Sequence, residues 1–195
     1  SHAGASVLWL DNNSSSKSVA DRVTYKDYRS SKLNSICNPE CRDEGMLTNL
    51  QGFIDEQNNK DILIVMHSMG SHGPAYYKRY PNAFEVFLPA CQTNQLNECT
   101  DEEISNAYDN TILYTDYFLS KVITLLKNNS QDSDTAMFYI SDHGESLGEG
   151  GLYLHGMPYF MAPEEQIKIP AFMWFDEGLK KVFDIDAIKK NSELE

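Results

Sequence analysis

Four short apolar runs, separated by segments with helical periodicity, constrain the fold of this chain more than any other feature. The runs are near-continuous rather than alternating, which is typical of strands that a parallel sheet buries on both faces. The segments between them repeat apolar residues at spacings of three and four, as amphipathic helices do. This order predicts an α/β fold with a mostly parallel sheet flanked by helices on both faces. The four runs are Ser6–Leu10, Asp61–Met66, Ala136–Ile140 and Ala171–Phe175.

Two longer helices are predicted between these strands. The segment from Asp43 to Gln57 has an apolar stripe at helical spacing. A second helix is expected from Asp101 to Asn128, because Thr100 and Glu103 have the spacing of a capping box at its start. The charged C-terminal tail, from Lys180 onward, is expected to form a short surface helix, and the polar stretch from Ser14 to Ile36 has no clear assignment.

Length and composition predict one globular domain that covers residues 1–195. Hydrophobic residues make up 41% of the chain, which is enough for a substantial core. The net charge of −13 argues against nucleic acid and anionic membrane surfaces as partners, because both repel an acidic protein. No apolar segment approaches the roughly 18 residues of a membrane span. The chain opens directly in a core strand, so we expect it to be the C-terminal part of a longer domain, whose upstream region is absent.

The four cysteines form two pairs that are close in sequence, both in polar, loop-like segments. Cys37 and Cys41 lie in "CNPEC", and Cys91 and Cys99 lie in "CQTNQLNEC". Two local disulfides in an oxidising compartment are the preferred interpretation. A zinc site made by all four cysteines is an alternative, although the C-x-x-C spacing typical of such sites is missing. Free thiols in a reducing compartment are a third alternative.

Ionisable and amide side chains follow three of the predicted strands at their carboxyl ends. In open α/β sheets, ligands bind outside these ends, so the side chains are expected to converge at one edge. Ordinary alternatives exist, since Asn13 and Lys17 could be turn residues and His67 could be a core histidine. The residues concerned are Asp11, Asn12, Asn13 and Lys17 after the first strand, His67 and His72 after the second, and Asp142 and His143 after the third.

The pair Asp142 and His143 can present a carboxylate oxygen and an imidazole nitrogen to one cation. Zinc accepts this mixture of ligands and normally takes three or four of them. His72 and His155 are candidates for the same or a neighbouring metal, because both lie in glycine-rich segments that allow a close backbone approach. We therefore expect one or two Zn²⁺ ions. A serine–aspartate pair that only caps a helix is the alternative at Asp142.

Five long motifs resemble the catalytic domain of the phosphoethanolamine transferases, which include the lipid A transferases and the mobile colistin-resistance enzymes. The match extends from Ala3 to Phe175. It is far more specific than "SDHG" alone, which would indicate only the alkaline phosphatase and sulfatase superfamily. The resemblance implies an alkaline phosphatase/sulfatase-like fold. The motifs are "DNNSSSK", "CNPECRDEGML", "HSMGSHGPAYYKRYP", "YDNTILYTDYFLSKVI" and "SDHGESLGEGGLYLHGMPY".

The resemblance implies an enzyme of the bacterial inner membrane, whose catalytic domain lies in the periplasm after N-terminal transmembrane helices. Such enzymes move phosphoethanolamine from phosphatidylethanolamine to a threonine, and then to lipid A or a related glycolipid, which confers polymyxin and colistin resistance. Zinc activates the threonine and stabilises charge on the phosphoryl group. Periplasmic disulfides in the family agree with the pairs Cys37–Cys41 and Cys91–Cys99.

The family motifs also imply roles for individual residues of this chain. Asp142 and His143 match two zinc ligands, while His72 and His155 match histidines that contact the phosphoryl group or a second zinc. The remaining assignments are His67 as a nearby active-site histidine, Glu145 as a partner that orients a ligand, and Asn13, Ser14 and Lys17 as residues near the phosphoethanolamine group.

The nucleophilic threonine of the family lies upstream of the matching region, as does a glutamate that binds the zinc. The threonines of this chain, such as Thr48, Thr111 and Thr115, lie in predicted helices and do not replace it. We therefore expect the chain to keep half of the zinc shell, to contain no nucleophile and to be inactive on its own.

Two other functions remain as alternatives at this point. A sulfatase-like phosphodiester hydrolase or a glycerophosphate transferase of the same superfamily would share the Asp-His metal pair. A non-catalytic metal- or lipid-binding module is an alternative of another class. Release of free phosphoethanolamine to water, without an acceptor, would favour the hydrolase.

Overall fold

The computed structural model describes residues 4–57 and 60–192. The chain is divided after Phe118 into two compact units, called the first and the second unit below. The strands are β1 (Ser6–Asp11), β2 (Thr24–Asp27), β3 (Ile62–His67), β4 (Ala136–Ile140), β5 (Ser146–Leu147), β6 (Tyr153–Leu154) and β7 (Ala171–Phe175). The α-helices are α1 (Leu50–Asp55), α2 (Asp101–Asn129), α3 (Glu164–Ile167), α4 (Leu179–Val182) and α5 (Ile185–Ser192). Short 3₁₀ helices are Asp43–Leu47, Tyr76–Lys78, Asn82–Phe84, Leu96–Glu98 and Glu149–Gly151.

A three-stranded parallel sheet organises the first unit, with β1 between β2 and β3. The central strand is the most deeply buried, and the side chains of Leu8 and Leu10 are completely inaccessible to solvent. Because the three strands run in the same direction, their carboxyl ends meet at one edge of the sheet. At that edge Asp11 lies in register with both Asp27 and His67.

Helix α2 begins with the capping box that the sequence predicts. The amide of Thr100 donates to Glu103 Oε2 at 2.7 Å, and the amide of Glu103 donates to Thr100 Oγ1 at 3.2 Å. Two amides that would lack partners in the first turn are therefore satisfied by side chains. The helix contributes the buried Ile104 and Ala107 to the core, and the ring of Tyr114 packs against that of Phe84 at 5.0 Å.

A buried carboxylate, Asp43, joins the loop after β1 to the loop after β3. Its Oδ1 atom accepts hydrogen bonds from Asn12 Nδ2 and from the amide of Met69, both at 2.8 Å. Its Oδ2 atom accepts the amide of Gly70 at 2.8 Å. Burial raises the pKa of this carboxyl, and the three donors oppose that rise. One side chain therefore fixes the two loops to each other.

An antiparallel pair, β4 and β7, forms the sheet at the centre of the second unit, with Phe138 opposite Met173. Asp176 follows β7 directly and fixes the start of β4, since its Oδ2 atom accepts the amide of Thr135 at 2.6 Å. Its Oδ1 atom accepts the amide of Leu179 at 2.8 Å, at the start of α4. These two amides hold the pKa of Asp176 below its usual range. The two-residue strands β5 and β6 pair in the loop that follows β4.

The structure corrects the predicted sheet in two respects. Ser6–Leu10 and Asp61–Met66 lie in parallel strands as predicted, whereas Ala136–Ile140 and Ala171–Phe175 pair with each other in antiparallel fashion. Exposed and half-buried residues alternate along β4, so the described residues do not cover both of its faces. The edge strand β2 was not predicted, because its sequence TYKD contains no apolar run.

The predicted helix from Asp43 to Gln57 is divided into a 3₁₀ helix and α1. Asn49 has a φ of 58°, a left-handed conformation that interrupts the hydrogen bonding of a right-handed helix. The expected short helix in the charged tail is confirmed as α4 and α5. In the part of the chain that the structure describes, no helix combines the length and the apolar character needed to cross a membrane.

Both predicted disulfides are present. The sulfur–sulfur distances are 2.05 Å for Cys37–Cys41 and 2.10 Å for Cys91–Cys99. All four sulfurs are therefore engaged in covalent bonds, and neither a zinc site made of four cysteines nor free thiols agree with this structure.

Replacement of Asp43 is expected to destabilise the first unit in a graded way. Asp43→Ala removes the acceptor of one buried donor, Asn12 Nδ2, and of two partly buried amides, those of Met69 and Gly70. An unpaired buried donor costs about 1–3 kcal/mol, so we expect a total loss of about 3 kcal/mol. Asp43→Asn keeps one carbonyl oxygen and is expected to cost less, about 1–2 kcal/mol. Urea unfolding measures both. Asp21→Ala, at an exposed position of the same unit, is the control, and equal losses in the two alanine variants would contradict the prediction.

The raised pKa of Asp43 also predicts a pH dependence. Between the unfolded and the folded pKa of this carboxyl, the native state holds a proton that the unfolded state has released. The contribution of Asp43 to the free energy of unfolding therefore falls as the pH rises through this window. Asp43→Asn removes the titration, so the difference in urea midpoint between the unsubstituted protein and Asp43→Asn should shrink with rising pH. A constant difference from pH 4 upward, about the ordinary value of an aspartate, would contradict this.

Candidate active site

The carboxyl edge of the first unit's sheet brings Asn13 and His67 together around the buried Asp11. Asp11 Oδ2 lies 3.3 Å from Nδ1 of His67, and Asp11 Oδ1 accepts the amide of Asn13 at 2.9 Å. The side chain of Asn13 in turn donates from Nδ2 to the carbonyl of Ser68 at 3.0 Å. Residues from the ends of β1 and β3 are thus held in one hydrogen-bonded group, as predicted from their positions at the carboxyl ends of parallel strands.

An exposed turn after β1 carries Ser14 and Lys17. The amide of Ser14 donates to Asn13 Oδ1 at 2.6 Å, and the carbonyl of Ser14 accepts Arg29 Nη1 at 2.5 Å. Hydrogen bonds to Asp27 raise the pKa of the Arg29 guanidinium, which therefore stays cationic. Lys17 has a φ of 48°, in the left-handed region, where the chain turns. This turn therefore combines the predicted Lys17 with a second cation that the sequence analysis did not identify.

His72 is held through both its ring and its backbone. Its Nδ1 atom lies 2.7 Å from the carbonyl of Gly73. Because a carbonyl only accepts, Nδ1 carries the proton and the lone pair of the neutral ring is on Nε2. The carbonyl of His72 accepts Arg79 Nε at 2.7 Å, and Arg79 forms an ion pair with Glu40 in the Cys37–Cys41 loop. The disulfide loop thereby helps to fix the backbone at His72.

In the second unit, Asp142 and His143 follow β4 in the sequence and lie close together. His143 Nδ1 lies 2.8 Å from the carbonyl of Gly144, which again assigns the lone pair of the neutral ring to Nε2. That Nε2 atom is 3.8 Å from Asp142 Oδ1, and the Asp142 side chain is 81% exposed. This carboxylate and this imidazole can therefore bind the same cation.

His155 pairs with Glu145, the residue expected to orient a ligand. Its Nδ1 atom donates to Glu145 Oε1 at 2.8 Å, and the Glu145 side chain is only 4% exposed. The rings of His143 and His155 stack, with 3.7 Å between their centroids. A carboxylate that accepts the Nδ1 proton fixes both the orientation of the ring and its tautomer, as it does behind metal-binding histidines. Metal binding itself stays a prediction.

A close backbone approach explains the glycine in the "SDHG" motif. The amide of Gly144 donates to the carbonyl of Gln166 at 3.0 Å. A Cβ atom on residue 144 would lie 2.0 Å from the carbonyl oxygen of Glu165, so a larger residue does not fit. The side chain of Gln166 donates to the buried Ser146 Oγ at 3.0 Å. The loop that carries His143 and Glu145 is therefore locked against the start of α3.

An open cavity of about 380 Å³ adjoins these side chains in the second unit. Its volume falls within the range of small-molecule sites. Ionisable and apolar groups both line it, so it can receive a ligand with a polar and an apolar part. The lining includes Asp142, His143 and His155 on the one hand, and Met157, Tyr159 and Ile169 on the other.

The predicted site residues are divided between the two units. The first unit contains Asn13, Ser14, Lys17, His67 and His72, and the second contains Asp142, His143, Glu145 and His155. Asp11 was predicted to lie at this edge of the sheet, because it directly follows an apolar run, but no role was assigned to it. Arg29 and Asp43 were not predicted. The sequence around Arg29 and Asp43 does not indicate which loops these two side chains contact.

Comparison with known proteins places these motifs in a family. A family model described as Sulfatase matches residues 2–194. Phosphatidylethanolamine transferase Mcr-2 of Escherichia coli is 51% identical over 178 residues, which are 88% of this chain and 33% of the relative. The chain thus spans about a third of the length of this curated relative.

Solved structures agree with this match. The soluble domain of lipooligosaccharide phosphoethanolamine transferase A from Neisseria meningitidis has a TM-score of 0.86 and 44% identity, over 92% of this chain and 53% of that one. The C-terminal periplasmic domain of EcEptC from Escherichia coli, solved in complex with Zn, has a TM-score of 0.69 at 20% identity, over 92% and 51%. The latter likeness supports the fold alone.

These matches confirm the alkaline phosphatase/sulfatase-like fold that the motifs imply. The chain belongs to the sulfatase family, in the branch that contains the phosphoethanolamine transferases.

Proposed function

We propose that this chain is part of an enzyme that transfers phosphoethanolamine from phosphatidylethanolamine to lipid A or a related glycolipid in the bacterial periplasm. The 51% identity to phosphatidylethanolamine transferase Mcr-2 carries the proposal, because 88% of the chain takes part in it. The activity is proposed for a longer protein that includes this chain. In that protein, upstream helices anchor the domain in the inner membrane, and an upstream threonine is the nucleophile that this chain lacks.

The second unit is proposed to hold zinc through Asp142 and His143, with His155 at the phosphoryl group or at a second zinc. The donor set suits zinc, which binds carboxylate oxygens and imidazole nitrogens. Both histidines have Nδ1 engaged by an acceptor, so Nε2 is the atom that binds the cation. Bound zinc would withdraw charge from a phosphoryl oxygen and activate the nucleophile.

The first unit is proposed to bind the phosphoethanolamine group through Asn13, Ser14 and Lys17. The turn that holds them is supported by Asp11 and by the cationic Arg29. Cations at this turn offset the negative charge of the chain near a bound phosphate. Hydrogen bonds between a cationic side chain and a phosphate are also stronger than hydrogen bonds between neutral groups. His72 and His67 complete the proposed site, His72 through Nε2 and His67 through its contact with Asp11.

Zinc affinity tests the proposed role of the second unit. With His155 as a zinc ligand, we expect Glu145→Gln to weaken zinc binding about tenfold and Glu145→Ala up to about 100-fold, because loss of the partner carboxylate leaves the His155 ring without its fixed orientation. The affinity is measured by competition with a zinc-binding dye. Since the chain is expected to hold only half of the zinc shell, a version extended upstream should bind more tightly than the 195-residue chain.

The matched control is Glu164→Gln, which removes a carboxylate that pairs with Lys168 at the surface. It should leave zinc affinity unchanged. Equal affinities of Glu145→Gln and this control would contradict the role of Glu145. Absence of zinc binding in both the chain and its extended version would contradict the metal site as a whole.

Transfer activity is tested with the extended version in bacteria that lack their own phosphoethanolamine transferase. We expect lipid A to gain the mass of one phosphoethanolamine group and the cells to become resistant to polymyxin, whereas the 195-residue chain does neither. Asp142→Asn should lower transfer roughly 100-fold or more, because a bound metal supplies several kcal/mol of charge stabilisation. Mass spectrometry of lipid A measures the product, and Asp21→Asn is the control.

Unchanged lipid A in cells that contain folded, zinc-loaded protein would contradict lipid A as the acceptor. If the protein instead released free phosphoethanolamine to water, the activity would be that of a hydrolase of the same superfamily.

A further inference from the structure

A loop in the second unit exposes three large apolar side chains in succession. Tyr159, Phe160 and Met161 are 80%, 85% and 58% exposed. Single exposed apolar side chains are ordinary on protein surfaces, whereas a contiguous group is typical of an interaction site. The loop therefore presents an apolar surface of the kind that binds an apolar partner.

Two backbone amides of this loop are satisfied within the loop itself. The carbonyl of Pro158 accepts the amides of Met161 at 2.8 Å and Ala162 at 2.9 Å. Pro158 and Pro163 bound the loop and have no amide hydrogen that needs an acceptor. Peptide groups that are already paired can enter an apolar medium at lower cost than unpaired ones. The paired amides of Met161 and Ala162 therefore lower the cost of placing this side of the loop in an apolar environment.

The apolar loop is continuous with the candidate site. Tyr159 belongs to the exposed group and also lines the cavity of about 380 Å³ that His143 and His155 line. Met157 and Ile169 add further apolar groups to the same lining. A molecule with a phosphate-containing head and an apolar tail matches this combination, with its head at the histidines and its tail along the loop.

Charge around the loop indicates which kind of lipid surface it fits. Glu164 and Glu165 follow the loop, and the nearby Lys168 is paired with Glu164 at 2.5 Å. The chain as a whole has a net charge of −13. Electrostatic attraction therefore does not bring the loop to an anionic membrane, and contact with electrically neutral lipids depends on apolar burial.

We infer that Tyr159–Met161 enters the acyl region of a zwitterionic lipid surface and guides the lipid donor's headgroup into the cavity at His143 and His155. The guidance of a lipid donor rests on the proposed function, whereas the membrane contact does not depend on it. A segment upstream of this chain, packed over the loop, is the competing occupant.

Vesicles of phosphatidylcholine and phosphatidylethanolamine test the membrane contact. Phe160→Trp keeps an aromatic side chain at the tip, and brominated acyl chains should quench its added fluorescence. Val182→Trp, at a 73% exposed position on α4, is the matched control and should not be quenched. The absence of quenching at Phe160→Trp, or equal quenching at both positions, would overturn the inference.

Partitioning gives the magnitude of the contact. Phe160→Ser combined with Met161→Ser should lower partitioning into these vesicles by about tenfold or more, because two apolar side chains no longer leave water. Val19→Ser combined with Val182→Ser replaces two exposed side chains elsewhere and should have no effect. Raising the salt from about 0.1 M to about 1 M screens charges but not apolar contacts, so binding should persist. Binding that salt abolishes would show an electrostatic contact and overturn the inference.

The extended version decides between lipid and an upstream segment. Brominated acyl chains should also quench Phe160→Trp in that version. If the indole is instead protected from both brominated lipid and a water-soluble quencher, another part of the protein covers the loop and the inference is wrong.

Turnover separates this inference from the proposed function. In the extended version, the double serine variant should lower turnover of a vesicle-bound long-chain donor about tenfold, in line with its loss of lipid contact. It should not change turnover of a water-soluble short-chain donor with the same headgroup. Equal losses on both donors would overturn the guidance role. If the unsubstituted protein turned over neither donor, the proposed function would fail, and the vesicle measurements would still decide the membrane contact.

Discussion

The carboxylate of Asp43 is the interaction on which the first unit's part of the candidate site depends. A buried carboxylate is unfavourable by itself, and it becomes acceptable here because three donors from two separate loops converge on it. One donor is Asn12, the neighbour of Asn13. The others are the amides of Met69 and Gly70, shortly before His72. Since the same carboxylate satisfies both loops, neither loop can move without leaving a buried polar group unpaired, and the strand ends hold their side chains in a fixed arrangement.

Nearby hydrogen-bond acceptors fix the tautomer of three histidines of the candidate site. In His72 and His143, the carbonyl of the following glycine accepts the Nδ1 proton, so the His-Gly sequence itself selects the tautomer. His155 is also followed by a glycine, but its Nδ1 proton goes to the buried Glu145. A carboxylate is a stronger acceptor than a carbonyl, and its position on a separate part of the loop fixes the ring more firmly. The second unit thus orients its two stacked rings by different means.

Sequence patterns predicted the positions of the main strands but not their partners. Apolar runs located β4 and β7 to the residue, yet a run contains no information about the direction of the strand beside it. The polar edge strand β2 lacked a local signal, and the asparagine at position 49, although its residue type favours the left-handed conformation, does not by itself predict a break in a helix. Most candidate site residues were predicted from their positions directly after the strands, because such positions can be read from chain order alone. Chain order does not predict the role of Asp43 or the contact between Glu145 and His155, since both depend on loops that meet only in the folded chain.

The charge of the chain affects how a phosphate-containing lipid reaches the proposed site. With 29 acidic and 16 basic residues, the protein repels an approaching anion at long range. Phosphatidylethanolamine carries an ammonium group beside its phosphate and is neutral overall, so it meets no such repulsion. Lys17 and Arg29 at the turn around Ser14 then act only at short range, where a phosphate has already arrived. If the proposed function is correct, the negative charge that disfavours anionic partners leaves apolar contact, through the loop Tyr159–Met161, as the proposed force that brings a lipid donor to the site.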